Sequence, residues 1–91
     1  MMLKLKITSR FKKDYAIAIK RGCKREELEE VVEMLRVGKT LPAKYQDHSL
    51  VGEYRGHREC HIQSDWLLIY QVDKQLLILK LIRTGSHSDL F

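Results

Sequence analysis

The chain opens with two different hydrophobic periods, one after the other. Over residues 2 to 7 apolar residues alternate with polar ones, which is the period of a half-buried β-strand. Apolar residues then recur at steps of three and four, which predicts an amphipathic helix over about residues 9 to 20. Thr8 or Ser9 can cap this helix, and Gly22 ends it. Its apolar stripe comprises Phe11, Tyr15, Ala18 and Ile19.

A second helix is predicted after a short connection. It begins near Arg25, and its apolar stripe comprises Leu28, Val31, Val32 and Leu35. Glutamates lie near its N-terminal end, where negative charge is favourable to the helix dipole, and Gly38 ends it. The two helices are therefore expected to form an αα-hairpin.

The second half of the chain has the pattern of short strands. Residues 58 to 62 alternate, whereas residues 66 to 72 and 75 to 82 are almost continuously apolar. The short connections at Ser64-Asp65 and Asp73-Lys74 require antiparallel neighbours, and the apolar strands need cover by the helices. We therefore expect an α+β fold of order βααβββ, with the helix hairpin packed on an antiparallel sheet.

Two segments lack a regular pattern. Residues 39 to 52 contain the only proline, Pro42, and are expected to form an ordered connecting loop that carries His48. Residues 84 to 91 form a tail without a recognisable period. No repeat, low-complexity segment or linker interrupts the chain, so we expect a single domain over residues 1–91.

Charge and cysteine content narrow the function classes. The formal net charge of +5 and a pI near 9.4 favour polyanionic partners such as RNA, or acidic proteins. No apolar run approaches the about 18 residues of a membrane span, so we expect a cytoplasmic protein with no membrane partner. Cys23 and Cys60 lack CxxC spacing and are expected to be reduced and packed.

The distribution of histidines is the strongest indication of chemistry. All four lie in the C-terminal half, at His48, His57, His61 and His87. Cleaving RNA without a metal requires a base at the 2′-hydroxyl, an acid at the departing 5′-oxygen and cations near the phosphate. Histidine suits both proton transfers near neutral pH. A small basic domain with this composition is therefore a candidate ribonuclease.

Other side chains near the predicted strand ends can support that chemistry. His61 lies on the outer face of its strand, where it would approach Asp65 if that face is concave; alternatively it is a solvent-exposed histidine. Arg83 can bind phosphate oxygens or form a surface ion pair. Trp66 at a strand start is typical of a core residue, whereas the terminal Phe91 can stack on a base.

A metal site is a further alternative, because His, Asp and Cys are all metal ligands. The histidines lie on separate predicted elements, without HxH, HExxH or paired CxxC spacing. We therefore expect no metal site and no cofactor.

Several ordered blocks resemble one known family. They are Gln46-Asp47-His48-Ser49-Leu50, Tyr54-Arg55-Gly56-His57-Arg58-Glu59-Cys60-His61-Ile62, Asp65-Trp66-Leu67-Leu68-Ile69-Tyr70 and Arg83-Thr84-Gly85-Ser86-His87-Ser88-Asp89-Leu90-Phe91. Together with the βαα segment before them, they look like the YafQ branch of the RelE-type toxins of bacterial toxin–antitoxin systems. The resemblance implies a microbial-RNase-like RelE fold and an mRNA interferase, an endoribonuclease that cleaves messenger RNA, usually in the ribosomal A site. It also implies a cognate antitoxin as inhibitor, and operator DNA as a partner only of the toxin–antitoxin complex.

The resemblance also suggests roles for individual residues. His87 would be the general acid at the 5′-oxygen, and Arg83 would stabilise charge. Base function and orientation would be divided among His48, His61 and Asp65, a division that the sequence leaves open. RNA contacts would come from Trp66, Phe91 and Arg58, whereas His57 departs from the family's pattern and is not assigned.

Three non-catalytic alternatives remain open at this point. The domain could bind RNA or a ribosome without cutting, or act with its antitoxin as a DNA-binding repressor component, and its basic charge fits both. A regulatory or structural protein with buried histidines would be a third possibility.

Overall fold

The computed structural model describes residues 2–91. Its strands and helices are β1 Lys4–Ile7, α1 Ser9–Lys20, α2 Arg25–Arg36, β2 His48–Ser49, β3 Arg58–Gln63, β4 Trp66–Asp73, β5 Ile78–Gly85 and α3 His87–Leu90. Two short 3-10 turns, Ala43–Tyr45 and Gly52–Tyr54, flank β2. The order confirms the predicted βααβββ arrangement and adds one short strand and one short helix.

The five strands form one sheet of order β1-β5-β4-β3-β2. β2 to β5 are antiparallel neighbours, as the short connections require. β1 pairs with β5 in parallel, so the sheet is mixed and not wholly antiparallel. Alternation along the first seven residues predicted the strand, but it contains no information on which strand lies beside it. The α+β class is confirmed.

The helix hairpin covers one face of the sheet and buries most of the core. The predicted stripe of α2 is buried throughout, and in α1 Phe11 and Ala18 are buried. Thr8 is the N-cap of α1, because its hydroxyl accepts a hydrogen bond from the Phe11 backbone N–H at 2.9 Å. On the opposite face a smaller cluster joins Leu67 and Ile69 of β4 to Leu90 of α3. Cover on both faces explains why β4 is almost continuously apolar.

Three boundaries differ from the sequence-based expectations. The segment 39–52 is not only a loop, because His48 lies in β2. β5 begins at Ile78 and not at residue 75, since the Asp73 carboxylate accepts hydrogen bonds from the backbone N–H groups of Gln75 and Leu76 and closes a turn. The tail is also ordered: β5 continues to Gly85, and α3 follows it.

No helix among residues 2–91 has the length and apolar content that crossing a membrane would need.

Candidate active site

The sheet register brings polar side chains to the face opposite the helix hairpin. His48 of β2 lies opposite Glu59 of β3, and such cross-strand partners share a face. Because side chains alternate along a strand, His61 shares that face with Glu59, while Cys60 points into the core. α3 brings His87 to the same region, with its ring centroid 5.5 Å from that of His61. Three separate segments therefore contribute to one cluster of imidazoles.

His48 is oriented by a hydrogen bond at one of its two ring nitrogens. Its Nδ1 lies 2.8 Å from the carbonyl oxygen of Gln46. A carbonyl only accepts, so Nδ1 carries the proton and Nε2 is the nitrogen that can take one up. Nε2 lies 3.5 Å from Oε1 of Glu59, and 49% of the His48 side chain is exposed. The ring is thus open to a substrate and next to a carboxylate.

His61 lies between the other two rings. Its ring centroid is 6.5 Å from that of His48, and its Nε2 lies 3.7 Å from Oε1 of Glu59. The expected approach of Asp65 to His61 is wrong, because the Asp65 side chain turns towards the start of α3 and binds His87 instead. His61 therefore has Glu59 as its neighbouring carboxylate.

His87 forms the most direct imidazole–carboxylate pair in the cluster. Oδ1 of Asp65 lies 2.8 Å from Nδ1 of His87 and accepts the His87 backbone N–H at 2.9 Å. These contacts, the backbone hydrogen bond above all, lower the pKa of Asp65. The carboxylate is consequently ionised at neutral pH and can only accept, so Nδ1 of His87 carries its proton and Nε2 is free to exchange one.

Local contacts hold α3 and thereby the position of His87. Ser86 and Asp89 form a capping box, in which each side chain binds the other residue's backbone N–H. The Arg21 guanidinium, at the C-cap of α1, donates to Asp89 at 2.6 Å, and this bond contributes most to lowering the pKa of Asp89 to about 2. Leu90 is buried against Leu67 and Ile69 of β4. A single helical turn is therefore secured to both α1 and the sheet.

Glu59 is the site residue that sequence reasoning missed. It is 4% exposed, and among residues 2–91 its Oε2 has no hydrogen-bond partner. A buried carboxylate with a free oxygen is costly unless positive charge lies nearby. The one sequence feature that pointed to Glu59 was its spacing of two residues from His61, which placed both side chains on one face of β3. Burial of the carboxylate could not be inferred from that alternation, because it depends on neighbours from other elements, such as His48 of β2.

Arg83 is engaged in an ion pair and is not a free phosphate-binding cation. Its Nε and Nη2 donate to the two carboxylate oxygens of Asp14, each at 3.0 Å, and 15% of its side chain is exposed. Hydrogen bonding to Asp14 raises the pKa of Arg83. Asp14 was not predicted, although it lies three residues after Phe11 on the buried stripe of α1. The expectation that Arg83 directly stabilises phosphate charge has no support in this geometry.

Trp66 is a core residue, and its expected contact with RNA is corrected. The residue is 3% exposed, and its indole N–H donates to the Thr84 hydroxyl at 2.9 Å. That hydroxyl in turn donates to the Leu67 carbonyl at 2.6 Å. The indole therefore connects β4 to β5 and offers no free face to a base.

Phe91 remains available for stacking. It is 63% exposed, and its ring lies edge-on against Tyr54 with the centroids 6.0 Å apart. The adjoining Leu90 is buried, so the backbone just before Phe91 is fixed. The ring is thus largely exposed directly after α3, the helix that carries His87.

Arg58 and His57 lie outside the imidazole cluster. The Arg58 guanidinium donates to Asp47 and Ser49, on the core side of β3, so it does not offer a free charge. Nδ1 of His57 lies 3.2 Å from the carbonyl oxygen of Tyr54. That His57 has no role in the reaction stays a prediction.

Both cysteines are free thiols, as expected. Cys60 is fully buried, and burial raises its pKa to about 12. Burial also raises the pKa of Cys23. A thiol with a raised pKa is a poor nucleophile, so neither cysteine is a candidate for the reacting group.

The cluster also contains a set of groups that can hold a metal ion. Glu59, His61 and His87 each offer one ligand atom, and these atoms lie within 4.8 Å of one another. Two nitrogens and one carboxylate oxygen suit a transition metal, and the unpartnered Oε2 of Glu59 is consistent with room for a cation. Sequence spacing gave no sign of this group because its members come from two distant elements. The expectation that no metal binds stays a prediction.

Comparison with known proteins agrees with the resemblance. The family model described as the bacterial toxin of type II toxin–antitoxin systems, YafQ, matches residues 3–91. The mRNA interferase toxin YafQ of Escherichia coli strain K12 is 36% identical over 89 residues, which are 96% of this chain and 94% of that protein.

Solved structures give the same result. A metal-bound toxin from Helicobacter pylori is 43% identical, with a TM-score of 0.93 over 99% of this chain and 100% of that one. YafQ in the E. coli DinJ–YafQ toxin–antitoxin complex is 33% identical, with a TM-score of 0.90 over 100% and 99% of the two chains. With the fold, the imidazole cluster and these relatives in agreement, the chain belongs to the YafQ family of toxins from bacterial type II toxin–antitoxin systems.

Proposed function

We propose that this protein is an mRNA interferase that cleaves messenger RNA by attack of the 2′-hydroxyl, with histidines as base and acid and without a metal. The observation that carries the proposal is the pairing of His87 with Asp65 beside the rings of His61 and His48. An endoribonuclease of this kind needs two proton-transfer groups near one phosphate. The basic charge of the chain favours binding of the RNA substrate.

His87 is the proposed general acid. Asp65 fixes Nδ1 and stabilises the protonated ring, which leaves Nε2 directed away from the carboxylate. As the P–O5′ bond breaks, Nε2 gives its proton to the departing 5′-oxygen. The products are a 5′-hydroxyl on one fragment and a cyclic 2′,3′-phosphate on the other.

His48 is the proposed general base. Its Nδ1 is bound to the Gln46 carbonyl, so Nε2 is the nitrogen that removes the proton from the 2′-hydroxyl. The oxygen of that hydroxyl then attacks the neighbouring phosphorus. Glu59 is close enough to stabilise the imidazolium that forms. Asp65 is bound to His87, so its geometry favours orientation of the acid over action as the base.

The charge that develops on the phosphate requires positive groups nearby. His61 lies between the acid and the base and can supply that charge when protonated. Arg83 is tied to Asp14 and is proposed to support the strand before α3. A metal ion held by Glu59, His61 and His87 would supply positive charge to phosphate oxygens, but it would occupy nitrogens that the proposed proton transfers use.

The expected partners follow from the family. A cognate antitoxin is expected to inhibit the protein, as the DinJ–YafQ complex of E. coli indicates for that relative. We propose a cytoplasmic site of action on mRNA at the ribosome, and contact with operator DNA only as part of the toxin–antitoxin complex.

The test uses translating ribosomes incubated with the wild-type protein or with His87→Ala. We expect defined cuts in the mRNA with the wild type and a rate lower by about 10² to 10⁴ with the variant. Circular dichroism and antitoxin binding would show that the variant is folded. If the wild type binds ribosomes or RNA but makes no cuts, a binding module is favoured. If folded His87→Ala cuts at the wild-type rate, the assignment of His87 as the general acid is contradicted.

A further inference from the structure

We propose that Arg58 is a positioning residue that holds β2, and therefore the base His48, from the opposite face of the sheet. The inference rests on the proposed function, since it assigns Arg58 to the geometry of that reaction and not to RNA contact. It is carried by the hydrogen bonds on either side of His48.

Arg58 binds both residues that flank His48. Its Nη1 donates to the Ser49 hydroxyl at 2.8 Å, and its Nη2 donates to Oδ2 of Asp47 at 3.0 Å. The Nε group also points at the Asp47 carboxylate, 3.3 Å from Oδ2. A planar guanidinium can bridge two such acceptors in a fixed geometry, which an ammonium group cannot. The chain on either side of His48 is thus held by one side chain.

The arrangement is anchored in the core by Tyr70. Its hydroxyl donates to Oδ1 of Asp47, and the residue is 2% exposed. In the sheet register Ser49 lies opposite Arg58, and Arg58 lies opposite Tyr70. These three side chains therefore form a row across β2, β3 and β4. We call this row, with Asp47, the β2 clamp.

β2 gains from such support because its own pairing is short, and the hydrogen bond from the Leu50 N–H to the His57 carbonyl at 2.9 Å extends it by only one residue. The strand has two residues and lies at the edge of the sheet, where it pairs only with β3. A pairing this short is marginal by itself. The residue before Asp47, Gln46, is left-handed with φ 48°, and its carbonyl is the one that fixes Nδ1 of His48. Movement of β2 would therefore disturb both the position and the tautomer of His48.

The clamp and the substrate side are on different faces of the sheet. His48 points towards Glu59, whereas Arg58 points to the side of Cys60, because neighbouring residues of a strand alternate. The positive charge of Arg58 is matched by Asp47, and this hydrogen bond is the main cause that raises the pKa of Arg58. Arg58 thus acts on the reaction only through β2.

The closing experiment separates positioning from RNA contact by steady-state kinetics. Arg58→Gln should lower kcat by about 10- to 100-fold, since a displacement of about 1 Å can cost 10² in rate, and should leave KM within about twofold. Arg58→Lys retains the positive charge but lacks the planar guanidinium that bridges Asp47 and Ser49, so kcat should fall similarly. Arg55→Gln, which removes an exposed arginine three residues away, is the matched control and should retain kcat.

One readout, applied to two variants, tests the inference independently of RNA cleavage. The imidazole signals of His48 in NMR spectra should be single in the wild type, and broadened or doubled in Arg58→Gln and in Tyr70→Phe. Tyr70→Phe keeps the buried ring, so it provides a folded variant if Arg58→Gln does not fold. If the wild type fails to cleave RNA, the proposed function fails, while these spectra still test the clamp.

Specific outcomes would overturn the inference. A raised KM with unchanged kcat in Arg58→Gln, or full activity of Arg58→Lys, would make Arg58 an RNA-binding charge. Unchanged His48 signals in folded Arg58→Gln or Tyr70→Phe would show that the clamp does not position β2.

Discussion

At the scale of single residues, the hydrogen-bond partner of each histidine decides which ring nitrogen is available for proton transfer. His48 and His87 each have Nδ1 bound to a group that accepts, a carbonyl in one case and a carboxylate in the other. Both rings therefore present Nε2 for proton transfer. Their Nδ1 partners differ in charge, and in the proposed reaction the ring bound to the carboxylate, His87, is the acid, while the ring bound to the carbonyl, His48, is the base.

Asp65→Asn tests the contribution of that charge. The amide retains the size of the side chain but no longer stabilises protonated His87, so we expect kcat to fall by about 10². Stability should change little, because Asp65 is exposed. The measurement is single-turnover cleavage alongside urea unfolding. Unchanged cleavage would show that the pair only holds α3 in place.

The site was only partly predictable at this scale. Ordered motifs named His48, His61, Asp65 and His87, and the structure brings them to one region. Glu59 and Trp66 show what the sequence could not predict. It does not reveal that a carboxylate is buried beside histidines, or whether an aromatic residue packs in the core or contacts RNA. Those outcomes depend on neighbours that are distant in the sequence, such as Thr84 for the Trp66 indole.

At the scale of elements, periodicity predicted the long segments and missed the short ones. α1 and α2 lie within a residue of their predicted bounds, because about three turns of an amphipathic helix repeat the stripe several times. β2 has two residues and α3 has four, which is too short for any period. Both are stabilised by side-chain hydrogen bonds, and both carry a histidine of the site.

The attachment of α3 should depend on pH through Asp89. Its pKa is lowered from 3.8 to about 2, with the hydrogen bond from Arg21 as the largest cause. A carboxylate whose pKa is lower when folded stabilises the folded state above the unfolded value, and this contribution is lost as pH falls through the folded value. Contacts of α3 should therefore weaken between about pH 4 and pH 2.

NMR titration of the Asp89 carboxyl and the Leu90 amide would follow this loss. Arg21→Gln is the comparison, since it removes the main cause of the lowered pKa and should move the Asp89 midpoint upward. A midpoint near 3.8 in the wild type would show that the ion pair does not form in solution.

At the scale of the whole molecule, the net charge of +5 separates into engaged and free cations. Arg21, Arg58 and Arg83 are each bound to a carboxylate. Lysines of α1 lie exposed on the helix surface, namely Lys12, Lys13 and Lys20. These three lysines give α1 positive charge for long-range attraction, although other exposed lysines lie outside this helix, for example Lys4, Lys39 and Lys74.

Association with an acidic antitoxin segment should depend on these lysines. Rim charges act mainly on the association rate, and salt screens them over about 8 Å at physiological strength. We expect slower association as salt rises, with a smaller change in dissociation. Charge reversal at Lys12, Lys13 and Lys20 should slow association further while cleavage continues. Stopped-flow mixing at several salt concentrations measures both rates, and salt-independent association would assign this surface to another partner.

The chemistry of the cut ends tests the central claim most directly. The protein is freed of transition metals with EDTA, its metal content is measured, and it is then incubated with mRNA on ribosomes in magnesium buffer. We predict continued cleavage, with 5′-hydroxyl ends that kinase labels without phosphatase treatment and cyclic 2′,3′-phosphate or 3′-phosphate on the other fragment. Ends bearing 5′-phosphate, or activity that returns only when zinc or copper is added, would contradict metal-free attack by the 2′-hydroxyl.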